Sequence, residues 1–170
     1  MTQEILYTPW RLKYILSKEG KEDGCIFCAV FDHNASSDVE NLVLFRGPNT
    51  FAMMNIYPYN VGHIMVLPIQ HVSNLTQLSQ QVQLEIMRLT TYFIELLTSV
   101  LRPDGFNIGT NIGKAAGAGI DSHLHTHIVP RWSGDSNFMP VVGQTRILPE
   151  ELGDTYQKIS AALKERPPEL

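Results

Sequence analysis

The stretch Ser122–Trp132, S-H-L-H-T-H-I-V-P-R-W, determines how this 170-residue chain is organised. Within it three histidines alternate with apolar or β-branched residues: His123, Leu124, His125, Thr126, His127 and Ile128. Strict alternation is typical of a strand, whose successive side chains point to opposite faces. We therefore predict that the imidazoles share one face, roughly 7 Å apart, while the intervening residues face a core. Packing alone does not explain three polar rings together, because each buried ring needs a hydrogen-bond partner.

The composition is that of one ordinary globular domain, with 44% hydrophobic and 18% charged residues. We predict a single domain over residues 1–170, with an N-terminal segment at about 9–31, a core at about 41–148 and a C-terminal helix at about 149–164. The net charge of −4 argues against a nucleic-acid polymer as partner, since such proteins usually carry a basic surface. A small phosphorylated ligand remains compatible with this charge.

The chain contains no apolar run near 18 residues, so we expect no membrane span. Its beginning, M-T-Q-E-I-L-Y-T-P-W, has neither a basic n-region nor a continuous apolar region, so we expect no signal peptide. A cytoplasmic location is the resulting expectation.

The hydrophobic pattern predicts an α+β domain, in which an antiparallel sheet of about five strands packs on one long helix. Short apolar runs bounded by turn residues predict strands at 42–46, 50–56, 62–68, 106–110 and 124–131. The long helix begins after Ser79 and ends at Arg102, because apolar residues recur every three or four positions between them. Further helices are predicted at 149–164 and at 9–17.

Cys25 and Cys28, spaced C-x-x-C, are the two cysteines of the chain. A structural disulfide is not expected in a reducing compartment, and no strand precedes Cys25 as a thioredoxin-type pair requires. The spacing suits a zinc knuckle, but two thiolates are half of a structural zinc site. The cysteines by themselves leave zinc binding and free thiols both open.

The connection Asn111–Gly119 is rich in glycine and alanine and carries one cation, Lys114. Small residues let backbone N–H groups approach an anion closely, although the order of residues is not that of a P-loop. An ordinary flexible connection has the same composition. Its position just before the three histidines favours anion binding.

The chain from about Trp10 to about Tyr156 resembles the histidine-triad family of nucleotide hydrolases and nucleotidyl transferases. The family motif, H-x-H-x-H followed by two apolar residues, is matched by H-L-H-T-H-I-V at 123–129. The family's upstream strand is matched by F-A-M-M-N-I-Y-P-Y-N-V-G-H-I-M-V-L-P at 51–68. The ending V-P-R-W-S-G-D-S-N-F-M-P-V resembles a bacterial branch similar to diadenosine tetraphosphate phosphorylases.

The resemblance implies catalytic roles for three histidines. His125 matches the nucleophile that attacks the α-phosphorus and forms a nucleotidyl-histidine, which splits one displacement into two steps. His127 matches the residue that contacts the phosphate oxygens and helps to protonate the leaving group. His63 matches a histidine that supports the triad strand.

The resemblance also implies substrate contacts. Asn55 matches a position that holds the ribose hydroxyls, and Asn111 matches one that contacts phosphate. The N–H groups near Gly119, together with Ser122, are expected to seat an incoming anion, and Lys114 adds charge.

For the cysteines, the resemblance implies a closed Cys₂His₂ site for structural Zn²⁺, formed by Cys25, Cys28, His71 and His123. Such a site would fasten the N-terminal segment to the histidine strand. The rival interpretation is that the thiols are free and that His123 hydrogen-bonds His63.

Two departures from the hydrolase pattern bear on the reaction. Hydrolases of the family usually carry a glutamine shortly before the triad, whereas residues 117–120 are G-A-G-I. The connection from Asn111 to His123 is one residue longer, as in the transferase branch, although that branch often ends its motif with glutamine where this chain has His127. We therefore expect phosphorolysis of diadenosine tetraphosphate by inorganic phosphate to ADP and ATP, with hydrolysis to a nucleoside monophosphate as the alternative.

Two other classes stay open: a phosphohydrolase whose histidines bind a catalytic metal, and a non-catalytic nucleotide-binding protein. Asp121 stands nearly alone beside the histidines, which argues against the first class. Relatives form twofold dimers, so the resemblance implies a homodimer. Trp10, Trp132 and Phe138 are candidate pocket or interface aromatics, although burial in a core is the commoner fate of such residues.

Overall fold

The computed structural model describes residues 24–32, 35–135, 142 and 148–169. Three α-helices are found in these ranges: α1 (Ile26–Asp32), α2 (Gln80–Leu101) and α3 (Leu152–Glu165). The strands are β1 (Val43–Arg46), β2 (Thr50–Met54), β3 (Ile64–Pro68), β4 (Gly105–Thr110) and β5 (Thr126–Arg131). The helix predicted at 9–17, together with Trp10 and Phe138, lies outside the described residues.

The five strands form one antiparallel sheet with the order β1-β2-β3-β5-β4, which confirms the predicted α+β class. Strand β5 lies between β3 and β4 and pairs with β4 along its whole length. Consequently the segment that leads into β5 approaches the middle of the sheet, and β4 occupies an edge.

The prediction that the whole H-x-H-x-H motif lies on a strand was wrong, because β5 begins at Thr126. Only His127 is in the ladder, opposite Met65. Further upstream the carbonyl oxygen of Pro68 accepts a hydrogen bond from the ring of His123 at 2.9 Å instead of continuing the ladder. The backbone N–H of Leu124 turns to the carbonyl of Val72 at 2.6 Å. His123 and His125 therefore lie on an unpaired segment next to the end of β3.

The predicted separation of faces nevertheless holds. Leu124 and Ile128 are buried in the main core, on the side of the sheet covered by α2 and α3. The opposite side carries a smaller cluster formed by Phe27, Val43, Phe51, Met53, Met65 and Leu67. The histidine rings lie on this second side, where Phe27 of α1 contacts the rings of His123 and His125.

Helix α2 begins and ends where its sequence predicts. The Ser79 side chain accepts a hydrogen bond from the N–H of Val82, and Arg102 closes the helix in the left-handed conformation at φ 50°. The predicted apolar stripe packs on the sheet through Ile86, Leu89, Phe93, Leu96 and Leu97.

Helix α3 packs against α2 and is fastened to the sheet, because the Tyr156 hydroxyl donates to the carbonyl of Val43 at 2.9 Å. Among the described helices, none combines the length and the apolar character that crossing a bilayer would need. The cytoplasmic location stays a prediction.

Candidate active site and metal centre

Three histidine rings meet on the face of the sheet opposite α2. The ring centroids of His125 and His127 are 4.8 Å apart, and those of His63 and His127 are 5.0 Å apart. Their exposed fractions are 0% for His63, 5% for His125 and 8% for His127. His63 directly precedes β3, so the pairing of β3 with β5 brings it to His127.

The ring of His125 is held by main chain. Its Nδ1 lies 2.9 Å from the carbonyl oxygen of His123. Because a carbonyl oxygen only accepts hydrogen bonds, this contact assigns the proton of the neutral ring to Nδ1. The lone pair is then on Nε2, which makes that atom the nucleophilic end of the ring.

The rings of His63 and His127 form an oriented chain of hydrogen bonds. The backbone N–H of Tyr59 donates to His63 Nδ1 at 3.0 Å, so the proton of neutral His63 is on Nε2. His63 Nε2 lies 2.9 Å from His127 Nδ1 and donates to it. The proton of His127 is therefore on its Nε2. That atom is buried and has no hydrogen-bond partner among the described residues.

Burial keeps both rings neutral. Burial first, and then the charges of His127 and His125, lower the pKa of His63 to about 3. Burial, followed by the charge of His125, lowers the pKa of His127 to about 4. At neutral pH both rings of this hydrogen-bonded pair are therefore neutral, and the pair ends in one N–H donor, His127 Nε2. A buried donor without a partner is unfavourable, and an oxygen of a bound ligand would satisfy it.

Asn55 lies beside this chain of rings. It follows β2, its backbone N–H donates to the carbonyl of His63 at 2.9 Å, and its side-chain Oδ1 accepts from the N–H of Tyr57. The side-chain oxygen is thus engaged in a local turn. A side-chain contact to ribose by Asn55 stays a prediction.

The remaining predicted substrate residues lie on the connection between β4 and β5: Asn111, Lys114, Gly119 and Ser122. The Lys114 side chain is 86% exposed, with its Nζ 4.0 Å from Asp121. No described hydrogen bond joins any of the four residues to the histidine rings. Their roles therefore stay predictions.

The four predicted metal ligands come together. Cys25 Sγ lies 3.3 Å from His123 Nδ1, and Cys28 Sγ lies 3.3 Å from His71 Nδ1 and 3.6 Å from His123 Nδ1. All four candidate ligand atoms lie within 4.8 Å of one another. Ligands of a tetrahedral zinc ion are about 3.3–3.8 Å apart, given bonds of about 2.0–2.3 Å. The donor set and its spacing therefore fit a closed metal site.

The surroundings of these ligands fit a cation as well. His123 Nε2 donates to the Pro68 carbonyl, which fixes the orientation of the ring and leaves the Nδ1 lone pair for a metal. Burial, and then Cys25, raise the pKa of the Cys28 thiol to about 11, so a bound cation would be needed to keep the Cys28 sulfur as a thiolate at neutral pH. The rival contact between His123 and His63 is wrong, because His63 bonds His127 instead.

Two contributors to the site were missed by sequence reasoning. Tyr59 acts through its backbone N–H, which no side-chain pattern reveals. Phe27 lies between the two cysteines, and its ring centroid is 5.3 Å from that of His125.

Comparison with known proteins identifies the family. The family model described as the HIT domain matches residues 36–134, more than half of the chain. The chain belongs to the histidine-triad (HIT) family. A curated relative from Mycobacterium tuberculosis, named AP-4-A phosphorylase, is 37% identical over 166 residues, which cover 95% of this chain and 85% of the relative.

More distant relatives have other names. An adenosine 5'-monophosphoramidase of Schizosaccharomyces pombe is 26% identical over 140 residues, covering 82% of this chain and 98% of the relative. Among solved structures, a Zn-bound histidine triad family protein from Mycobacterium smegmatis superposes with a TM-score of 0.67 at 27% identity, covering 84% of this chain and 95% of that one.

Proposed function

We propose that this protein is a nucleotidyl transferase that acts on dinucleoside polyphosphates, and that its reaction is phosphorolysis of diadenosine tetraphosphate to ADP and ATP. One observation carries the proposal. His125 presents an unprotonated Nε2 next to His127, whose buried Nε2–H has no described partner. The name of the relative that is 37% identical supports the choice of substrate and acceptor.

The first half of the reaction uses both rings. The lone pair of His125 Nε2 attacks the α-phosphorus, the bond from that phosphorus to the bridging oxygen breaks, and ATP leaves with the electron pair. The Nε2–H of His127 donates to a phosphate oxygen and stabilises the charge that develops there. Because burial lowers the pKa of His127 to about 4, the ring is neutral at pH 7 and donates this hydrogen bond as a neutral imidazole.

The second half releases the nucleotide to phosphate. An oxygen of inorganic phosphate attacks the same phosphorus, the P–N bond breaks, and its electron pair returns to His125 Nε2 with formation of ADP. Backbone N–H groups near Gly119 are suited to seat this anion, together with Ser122 and the exposed Lys114. Asn111 contacts the transferred phosphate, and Asn55 holds the ribose.

The metal in this proposal is a structural Zn²⁺, held by Cys25, Cys28, His71 and His123. When bound, it supplies a rigid cross-link and keeps the thiolates ionised. It would join α1 to the segment before β5 and so hold Phe27 against the His125 ring. The zinc-containing structural neighbour supports the choice of metal.

The assembly in this proposal is a homodimer formed along β4. This strand lies at the edge of the sheet, and its residues Asn107, Ile108 and Gly109 are exposed. Ile108 is 49% exposed, which is unusual for a large apolar residue on a strand left at an edge. Trp132 follows β5, the neighbour of β4, and is a candidate for the same interface.

The decisive experiment incubates the full chain with diadenosine tetraphosphate labelled at the α-phosphorus, with and without inorganic phosphate. Labelled ADP that forms only with phosphate, together with acid-labile label on wild-type protein but not on His125→Ala, supports the proposal. Labelled AMP without any phosphate requirement would favour the hydrolase alternative, which the phosphoramidase relative represents. Nucleotide binding without turnover would favour the non-catalytic class.

A further inference from the structure

The turn between β2 and β3 positions the first donor of the hydrogen bonds that link His63 and His127, the backbone N–H of Tyr59. His63 N donates to the carbonyl of Asn60 at 3.2 Å, and Gly62 has a φ of +74°. A Cβ on Gly62 would lie 2.4 Å from Leu101 Cδ1, so the turn is fitted against α2. Tyr59, whose N–H donates to His63 Nδ1, immediately precedes this turn.

Asn60 ties the turn to the end of β5. Its Nδ2 donates to the Pro130 carbonyl at 3.1 Å and to Asp135 Oδ2 at 2.8 Å, while its Oδ1 accepts from the N–H of Val61 at 3.1 Å. The side-chain amide of Asn60 therefore uses both its donor and its acceptor. Its two donated hydrogen bonds join the β2–β3 turn to β5 and to the turn that follows β5.

Asp135 is itself held firmly. Its carboxylate accepts from Arg131 Nε at 2.6 Å and Nη2 at 2.8 Å, and from the N–H of Trp132 at 3.1 Å. Arg131 Nη1 also reaches Asn107 Oδ1 on β4 at 2.5 Å. The Asp135 side chain is only 11% exposed. Asn60 is thus anchored on two strands of the sheet rather than on a free loop.

We propose that Asn60 and Asp135 are positioning residues that keep the proton of His127 on Nε2, the end of the ring that faces substrate in the proposed function. They do so by holding the turn that carries the Tyr59 N–H. If that N–H moves away from His63 Nδ1, nothing fixes the His63 tautomer. A proton on His63 Nδ1 would reverse the direction of the hydrogen bond between the two rings. His63 Nε2 would then accept from His127 Nδ1, and His127 Nε2 would lose its hydrogen.

The test compares three variants of the full chain. Asn60→Ala removes both crossing donations, and Asp135→Asn removes the carboxylate that receives one of them. Asp104→Asn is the matched control, because Asp104 accepts from the N–H of Ser133 at 2.6 Å, in the same turn as Asp135, but has no described contact with Asn60. The ring ¹⁵N shifts of His127 are measured at pH 7.5 without substrate. Then kcat and KM are measured for phosphorolysis.

We expect wild-type protein and Asp104→Asn to show one tautomer, protonated on Nε2. Asn60→Ala should show a mixture, with Asp135→Asn between the two. The kcat of Asn60→Ala should fall about tenfold with little change in KM. Complete loss of a hydrogen-bond donor to the transition state costs roughly a hundredfold or more, and this variant loses only part of it.

Wild-type shifts in folded Asn60→Ala would overturn the inference, and so would an equal change in Asp104→Asn. Should Asn60→Ala fail to fold, Asp135→Asn decides by the same shifts. Absence of phosphorolysis by wild-type protein would refute the proposed function alone, since the tautomers are measured without substrate.

Discussion

His63 Nε2 lies 2.9 Å from His127 Nδ1, and this contact orders the protons of two buried neutral rings. This series of hydrogen bonds starts at the backbone N–H of Tyr59 and ends at the Nε2–H of His127. The fold therefore fixes the direction in which the hydrogens point. Substitutions along the series should therefore separate hydrogen-bond donation from covalent chemistry.

Replacement of His127 should slow the reaction without removing the nucleophile. His127→Ala should reduce kcat by roughly a hundredfold or more, whereas His127→Gln, which retains an N–H donor, should lose only about tenfold. Both variants should still carry label from the α-phosphorus, because His125 is intact. Single-turnover labelling and steady-state kcat give the two measurements. Equal losses in both variants would mean that donation from position 127 is unimportant.

The buried histidines should make the protein less stable as pH falls. His63 and His127 have folded-state pKa values of about 3 and about 4, below the value of about 6.5 expected in the unfolded chain. Between pH 6.5 and 4 the unfolded chain binds more protons, so the free energy of unfolding decreases as pH falls through that window. Each ring contributes on the order of 1 kcal/mol per pH unit there.

Urea unfolding between pH 7 and pH 4.5 measures this slope. His127→Gln removes one titrating ring, so its slope should be shallower by on the order of 1 kcal/mol per pH unit. The four candidate metal ligands are the same in both proteins, so any contribution from them cancels in the comparison. Identical slopes would mean that the His127 ring is not held neutral.

Metal binding should depend on the cysteines rather than on the nearby acid. Cys28→Ala should lose most of the bound zinc and lower Tm by roughly 10 °C, as expected for a loss of about 3 kcal/mol in a chain of this size. Asp32→Ala, at the end of the same helix but outside the ligand set, should keep its zinc. Elemental analysis and thermal unfolding provide the data.

The time course of activity after addition of a chelator tests whether the metal is structural or catalytic. A structural zinc ion predicts that activity decays together with the folded fraction. Immediate loss of activity in protein that is still folded would instead favour a catalytic metal bound by the triad.

A buried carboxylate should matter more for stability than an exposed one on the same helix. Glu85 on α2 accepts hydrogen bonds from Asn49 N at 3.0 Å, Asn49 Nδ2 at 2.7 Å and Thr50 Oγ1 at 2.7 Å. Burial alone would raise the pKa of Glu85, but these hydrogen bonds outweigh burial and lower it. In Glu85→Gln the new NH₂ group faces other hydrogen-bond donors, so one of these bonds is lost. The free energy of unfolding, measured in urea, should fall by about 1–3 kcal/mol.

Glu95→Gln is the matched control. Glu95 pairs with Arg166 at 3.0 Å, but both side chains are more than half exposed. Its loss should change the free energy of unfolding by less than about 1 kcal/mol. Equal effects at positions 85 and 95 would contradict the stabilising role proposed for the hydrogen bonds from Asn49 and Thr50 to Glu85.

Sequence patterns predicted the elements that depend on periodicity. The stripe of α2 and its Ser79 cap follow from local chemistry, as do the turns that separate β1, β2 and β3. The start of β5 did not follow, because competition between the His123 ring and a neighbouring strand for the Pro68 carbonyl is a tertiary event. Alternation alone cannot distinguish a paired strand from an extended segment beside one.

The candidate metal ligands were predicted from the family resemblance, and the geometry of Cys25, Cys28, His71 and His123 is compatible with that prediction. The ring tautomers could not be predicted, because they depend on which main-chain groups the fold brings to each nitrogen. Tyr59 and Asn60 contribute through such groups or through bonds to distant main chain. Their side-chain identities carry no signal of that role.

The proposed nucleophile, His125, is oriented by the carbonyl of His123, whereas a serine protease orients its histidine with an aspartate. Among the described hydrogen bonds of His63, His123, His125 and His127, none goes to an acidic side chain. A carbonyl group carries no net charge, so it adds less negative potential to a site for a polyanion than a carboxylate would. Under the proposed function, this arrangement holds the His125 imidazole in its reactive tautomer without placing a negative charge beside the polyphosphate substrate.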